Sequence, residues 1–400
     1  MNRYASFALS IASMFFLVMA ILVNSEPLFY MVTVVLTMLA ASSLQAFRAV
    51  RFLRFERFAP PAAQVGEPVT VEITVWSERR IRRPLVMIID SLPKRLVSKG
   101  VRPSLPVAPS FDQPIQTRYT FRPMRRGRYS WSSLRIQSSD ALGLVSRDKV
   151  YKTDPIELTV YPAPIPVSIE INPIAGWGSS DLDSGRVRGA GLETSTIREY
   201  VSGDPLRYVH WLSSAKRGEL MVKEFETGSG VFMNFLLQHT QGTEIGNEEA
   251  STLEAMCGHA LFLAESYLDS GAAVVFPVFE DAHAATAHPE VRVREIRDIL
   301  TDIQADALDS LSSELTHCRA QLTPGSTVIL MIGVQDANLP EAILNIRDVH
   351  FACLVYDLDD YRSSVPLASG VRSAADPTYL ARLEAVGAEV VVMPRVEKLG

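Results

Sequence analysis

The stretch VFMNFLLQHTQG, residues 231–242, decides how the second half of the chain folds. Val231–Leu237 is strand-like, an apolar run interrupted by Asn234 rather than an alternation, as expected of a strand buried on both faces. Outward from it the pattern repeats. Glu248–Ser270 is helical, Ala272–Phe279 strand-like, Val293–Gln321 helical, Thr327–Ile332 a strand, Pro340–Arg347 helical and Phe351–Tyr356 a strand. Pro377–Val386 is a last helix before the strand Glu389–Met393. Strand and helix in turn, with apolar strands, predict a parallel sheet covered on both faces.

A chain of 400 residues is long for a single core and points to two or three domains. At 47% hydrophobic and 21% charged residues it is not a disordered chain. The net charge of −6 is unevenly spread, with +11 over residues 1–165 and −17 over residues 166–400. Cys257, Cys318 and Cys353 cannot all pair and lack ligand-like spacing. They read as buried, reduced thiols, which excludes a disulfide scaffold and a zinc ribbon.

Two uncharged apolar stretches open the chain, Ser6–Val23 and Leu28–Phe47, each long enough to cross a bilayer core. Asn24-Ser25-Glu26-Pro27 between them allows only a tight hairpin. A cleaved signal peptide would have a shorter apolar region and no second partner. Arg3 before the first stretch and Arg48, Arg51, Arg54 and Arg57 after the second put both termini on the cytoplasmic side of the membrane. Those four arginines alternate with Phe47, Phe52, Phe55 and Phe58, which suits anionic lipid headgroups. Ser6/Ser10 and Ala8/Ala12 have the spacing of small residues at a helix contact.

Residues 59–165 read as strands. Val69, Val71, Ile73 and Val75 alternate with polar residues, and Leu85–Ile89, Ile115–Phe121, Tyr129–Ile136 and Ile156–Tyr161 follow between Pro and Gly. Such a run predicts an all-β sandwich of immunoglobulin-like type. The pairs Arg79/Arg80, Arg82/Arg83 and Arg125/Arg126 fall in its turns. Without interleaved stacking aromatics they do not read as a nucleic-acid surface, and after a membrane anchor they fit an anionic leaflet.

Residues 166–196 are a Gly/Ser-rich linker, and Gly189-Ala190-Gly191 within it has neither the strand nor the third glycine of a dinucleotide site. Ile197–Glu226 reads as loop, short helix and strand. Asp204-Pro205 starts the helix, Leu206, Val209, His210 and Ser213 share one face, and Gly218 stops it. Arg198-Glu199-Tyr200, Gly203-Asp204, Arg207, Trp211, Ala215, Leu220, Val222, Glu224 and Phe225 closely resemble the signature of the bacterial family called domain of unknown function 58. Arg126–Tyr129, Ser139–Leu144 and Val160-Tyr161-Pro162 resemble its preceding β region, so the likeness runs along nearly the whole chain. Two readings of Arg198, Glu199, Asp204, Arg207 and Trp211 stay open. They form a contact surface or ligand pocket, or Asp204 caps a helix, the arginines pair with buried carboxylates and Trp211 anchors the core.

The resemblance implies that residues 227–400 are a von Willebrand factor A-like, Rossmann-like domain. Such domains bind Mg²⁺ through Asp-x-Ser-x-Ser at the carboxyl end of the first strand. Here Gln238, Thr240 and Gly242 stand in that motif, and the later acidic position is displaced to Asp336, so no Mg²⁺ or other cofactor is expected. Glu244, Asp281 and Asp336 are the carboxylates from which a site would have to be rebuilt. The histidines are scattered, and no phosphate loop, nucleophile elbow or helical zinc motif is present, so no catalytic residue is assigned.

The chain thus reads as multidomain: residues 1–58 a transmembrane helical hairpin with a basic tail, 59–165 the β-sandwich, 166–196 the linker, 197–226 the signature and 227–400 the α/β domain. The family resemblance implies an interaction scaffold working with a MoxR-type AAA+ ATPase in the assembly or remodelling of envelope proteins. The alternatives are a membrane-bound hydrolase with its site at the signature, or a metal-dependent protein-binding domain.

Overall fold

A computed structural model describes residues 3–80, 85–97, 103–111, 113–140, 143–167, 194–199, 214, 216, 219, 221–225, 232–247, 250–280, 288–361 and 370–394. The chain divides into two units, Met1–Tyr161 and Pro162–Gly400.

The first unit begins with helices α1 (Arg3–Val23) and α2 (Glu26–Ala49), which pack on each other. Asn24 turns the chain between them with φ of 49°, and Pro27 occupies the first turn of α2, where a missing N–H costs nothing. Helix α2 is long and apolar enough to cross a membrane, and Phe7–Val23 is a shorter apolar stretch. Phe15, Leu22 and Tyr30 face outward, as in a hairpin that bilayer rather than water surrounds. The two helices are consistent with membrane anchoring. Among the described residues the buried small side chains are Ser13 and Ala20 in α1 and Ser42, Ala46 and Ala49 in α2, whereas Ala8 and Ser10 are exposed, so the expected small-residue contact lies elsewhere on α1.

Eight strands follow: β1 (Leu53–Phe58), β2 (Ala62–Gln64), β3 (Val69–Ser77), β4 (Val86–Asp90), β5 (Ser104–Val107), β6 (Ile115–Phe121), β7 (Gly127–Ser139) and β8 (Ser146–Tyr161). They form a three-stranded sheet, β1-β3-β6, and a five-stranded sheet, β2-β8-β7-β4-β5. Alternate residues of both line one core, among them Val71 and Ile73 from the first and Ile88, Leu134, Ile136 and Leu158 from the second. Pro155 fits inside β8 because the ladder with β7 shifts register beside it, where no N–H is required.

Residues 53–58, assigned from sequence to the juxtamembrane tail, are strand β1, paired antiparallel with β3 from Leu53↔Ser77 to Phe58↔Glu72. This corrects the lipid-facing assignment of Arg57. Its side chain is 1% exposed and bonds Asp90 Oδ1 at 3.3 Å and the carbonyls of Trp131 and Asp154. Tyr119 donates to the other Asp90 oxygen at 2.7 Å, and that buried carboxylate pushes the phenol pKa well up, after burial itself. Arg54 is also engaged, with Glu78 at 2.6 Å. Arg126, expected in an exposed turn, is buried.

The second unit has two sheets. Strands β9 (Thr194–Glu199) and β10 (Met221–Phe225) make an antiparallel pair. Strands β11 (Phe232–Leu237), β12 (Ala273–Val275), β13 (Thr327–Ile332), β14 (His350–Tyr356) and β15 (Glu389–Met393) form a wholly parallel sheet of order β12-β11-β13-β14-β15. Helices α3 (Thr252–Asp269), α4 (Pro289–Asp302), α5 (Leu311–Cys318), α6 (Leu339–Leu344), α7 (Leu358–Tyr361) and α8 (Pro377–Ala385) alternate with the strands. Two apolar clusters result. One contains Phe235 and Met331 with residues of α3 and α4, the other Leu236 and Leu330 with residues of α5, α6 and α8, as a sheet covered on both faces requires. Gly258 lets residues 163–165 cross α3. Ile165 N–H donates to Gly258 O at 3.0 Å, and a Cβ would meet the Ile165 side chain and stand 3.0 Å from Ala163 O. All three cysteines are buried, and burial pushes the Cys353 thiol up to about 12.

Candidate functional site at the carboxyl end of the parallel sheet

In a parallel sheet of order 2-1-3-4-5, successive crossovers leave the first strand in opposite directions. The crevice between strands 1 and 3 is the usual ligand position. Here that crevice lies between the carboxyl ends of β11 and β13, where Gln238 and Gly333 follow their strands.

Gln238 closes it. Its Oε1 accepts from Gly333 N–H at 3.0 Å and Val334 N–H at 2.8 Å, while its Nε2 donates to Val334 O at 2.9 Å. One amide therefore satisfies two donors and one acceptor of the backbone leaving β13. A carboxylate could take the first two bonds but has no hydrogen for the third. Thr240 is likewise occupied, donating through Oγ1 to Asp309 O at 2.9 Å. Around it the 307–309 loop pairs with the end of β11, through Gln241 N–H to Ala307 O and Ala307 N–H to His239 O. Asp336 accepts with one oxygen from Ser312 N–H at 2.8 Å, in the first turn of α5, and with the other from Asn338 N–H at 3.1 Å. Glu244 accepts from Ser251 Oγ, the N-cap of α3, at 2.6 Å. Gly242 turns the loop at φ of 86°. Among the described residues no three His, Cys, Asp or Glu side chains converge as a metal set would, and Asp281 lies outside them.

Beneath this surface sits a pair that the sequence did not reveal. His239 Nδ1 is 3.0 Å from Leu237 O, an acceptor only, so Nδ1 carries the hydrogen and Nε2 faces Glu314 Oε1 at 3.5 Å. Both side chains are more than nine-tenths buried, and the His239 ring lies 5.1 Å from that of Phe279. Burial, then the charge of Asp309, pushes the Glu314 carboxyl up to about 7. Glu314 Oε2 is buried without a hydrogen bond. Glu314 can thus hold a proton at neutral pH. The open cleft nearby, of about 300 Å³, is lined by Ser312, Thr316, His317, Asn338, Glu341 and Asn345 between α5 and α6. Glu314 was legible in principle, since it shares the buried helix face of Leu311, Leu315 and Cys318.

The signature is described only in part. Arg198 and Glu199 lie in β9, where loop was expected, and pair with Val222 and Met221 of β10, which also holds Glu224. Ser214 Oγ accepts from Met221 N–H at 2.8 Å, fastening the segment ahead of β10. Tyr200, Gly203, Asp204, Arg207 and Trp211 lie outside the described residues, as do residues 168–193 of the linker.

Comparison with known proteins finds similarity to a family over part of the chain and to individual proteins. The chain is 25% identical over 302 residues to the uncharacterized protein YeaD of Bacillus subtilis (strain 168), covering 68% of this chain and 73% of that one. Among solved structures, a CARDB domain from Pyrococcus furiosus in complex with di-metal ions is 15% identical over 27% of this chain and 91% of that chain, with a TM-score of 0.18. A beta-glucosidase from Listeria innocua in complex with isofagomine is 14% identical over 27% of this chain and 16% of that chain, with a TM-score of 0.16. The family model described as protein of unknown function DUF58 matches residues 196–326, which span β9, β10 and the sheet as far as the start of β13. The matched residues include the signature from Arg198 to Phe225, on which the resemblance to this family was drawn.

Proposed function

We propose that the chain is a membrane-anchored scaffold facing the cytoplasm, with an immunoglobulin-like sandwich in its first unit and a von Willebrand factor A-like domain in its second. In this reading it presents the carboxyl end of its parallel sheet to a protein partner, a MoxR-type AAA+ ATPase, during assembly or remodelling of envelope proteins. One observation carries it: the crevice where such sheets hold ligands is filled by Gln238, and the loop beside it exposes Leu308 at 90% between Asp306 and Asp309. An apolar side chain held out between two carboxylates suits an apolar pocket with a basic rim. It does not suit a small substrate, which needs an enclosed cavity.

The test is affinity purification of the full chain from cross-linked, detergent-solubilised membranes. Leu308→Arg and Thr240→Arg should weaken capture of the ATPase about thirtyfold, the effect of removing one central anchor. Undiminished capture by folded variants, or no ATPase above an anchor-only control, would sink this reading.

A further inference from the structure

The first unit carries a cluster of stacked arginines at the end of the membrane hairpin. The Arg51 guanidinium lies over the Phe47 ring at 3.8 Å, Arg79 over Phe52 at 4.0 Å and Arg80 over Phe111 at 5.4 Å. Three separate segments supply them, and backbone bonds hold those segments together. Glu78 N–H donates to Phe52 O at 2.9 Å, Ser77 N–H to Ser110 O at 2.9 Å, and Ser77 Oγ to Arg79 O at 2.6 Å. Phe52 adopts φ of 58°, a conformation that a bulky residue takes only where its surroundings impose it. The Glu78 carboxylate beside this group is taken by Arg54. Arg51, Arg79 and Arg80 are exposed.

Depth identifies the ligand. The uncharged run Leu28–Phe47 rises about 30 Å at helical pitch, the thickness of a hydrocarbon core. Phe47 and Arg51 therefore emerge among the headgroups, and the bond from Glu78 to Phe52 brings Arg79 to the same level. The Phe52 and Phe111 rings hold the Arg79 and Arg80 guanidinium groups through their π faces, so the in-plane N–H groups of those two arginines can donate to phosphate oxygens.

We propose that Arg51, Arg79 and Arg80, backed by Phe47, Phe52 and Phe111, bind the headgroup of an anionic phospholipid. The site rests on the membrane-anchored reading above. It differs from the basic tail expected from sequence, because Arg54 and Arg57 are engaged by Glu78 and Asp90 while two arginines of the 77–80 turn join it.

The test is native mass spectrometry of the detergent-solubilised full chain titrated with phosphatidylglycerol or phosphatidylcholine. Wild type should retain phosphatidylglycerol selectively. Arg79→Gln/Arg80→Gln should weaken it about thirtyfold, since each arginine near the surface contributes about fivefold. Phe52→Gly, comfortable at this φ, should also weaken it while the melting temperature holds. Arg122→Gln, at the opposite end of β3, should change nothing. Equal retention of both lipids by wild type, or undiminished binding by the double variant, overturns the proposal. Inorganic phosphate alone binding with the same dependence on Arg79 and Arg80 would overturn the lipid assignment. Capture of the ATPase by the same variants reads the scaffold proposal separately.

Discussion

Gln238→Glu puts the account of the closed crevice to its sharpest test. Glutamate is nearly the same size, and its Oε1 can keep the bonds from Gly333 N–H and Val334 N–H. The other oxygen then faces Val334 O at about the 2.9 Å that the amide nitrogen occupied. Only a protonated carboxyl can bridge that gap, so folding should raise the pKa of the introduced carboxyl above its unfolded value near 4.3. The sign follows. Below about pH 4 both states are protonated and the variant should match wild type. As pH rises the unfolded chain loses its proton first, and keeping that proton costs the native state increasingly, until the deficit levels off above the folded pKa. Because Gln238 is 5% exposed, an unmet carbonyl there should cost about 1–3 kcal/mol at neutral pH, and the buried charge adds to this. For a unit of this size, each kcal/mol lowers the melting temperature by about 2–4 °C. Thermal unfolding of the full chain in detergent at pH 5 and pH 8 measures it, provided that wild type is run beside it. A deficit that is equal at both pH values would refute the bonding scheme, because a lost shape or volume does not titrate.

Two further outcomes follow from buried charge. Asp90→Leu leaves the Arg57 guanidinium buried without its counter-ion and should cost about 3–5 kcal/mol, whereas Arg57→Met/Asp90→Leu should recover much of that loss; a double-mutant cycle without such coupling would refute the pairing. Glu314, with its pKa raised from 4.5 to about 7, makes the native state hold a proton that the unfolded state has released between those values. Wild type should therefore lose up to about 3 kcal/mol as pH climbs through that window, and Glu314→Gln should flatten the decline in unfolding free energy measured by denaturant titration.

Where apolar residues alternate or run together, the sequence marks the strand. The alternation in Val69–Val75 marked β3, and the runs Ile115–Phe121, Thr327–Ile332 and Glu389–Met393 coincide with β6, β13 and β15. Other elements were hidden because no period declares them. Residues 146–154 are polar almost throughout, yet they extend β8 because pairing with β7 satisfies their backbone. The single helix expected over Val293–Gln321 is two, α4 and α5, broken at residues 303–310. Gln304, Ala305 and Ala307 favour helix, but Ser310 caps α5 by accepting from Ser313 N–H, and Ala307 is drawn to the end of β11. That break creates the loop on which Leu308 stands. Arg57 was misread for a different reason: its partner Asp90 comes 33 residues later, and an arginine among phenylalanines looks interfacial until the pairing of β1 is known.

The same limit bears on the candidate site. The family resemblance alone makes Gln238 a position where a metal-binding carboxylate would be expected. In the fold it is an amide whose donor and acceptor both have partners, so its chemistry is a fit to Val334 O as much as a departure from a metal motif. Thr240 and Asp336 behave alike, each bonded to the backbone of the segment leading into α5. These three side chains tie β11, β13 and the 307–312 segment into one surface. An acidic residue introduced at position 238 would therefore not by itself create a metal site. It would first have to break the bond to Val334 O, and Asp336 would still be held by Ser312 and Asn338. What the arrangement provides instead is a fixed base for the 306–309 loop, and a rigid mount for an exposed apolar residue lowers the entropy lost when a partner covers it. On this argument, Gln238, Thr240 and Asp336 are the residues that support the proposed docking loop.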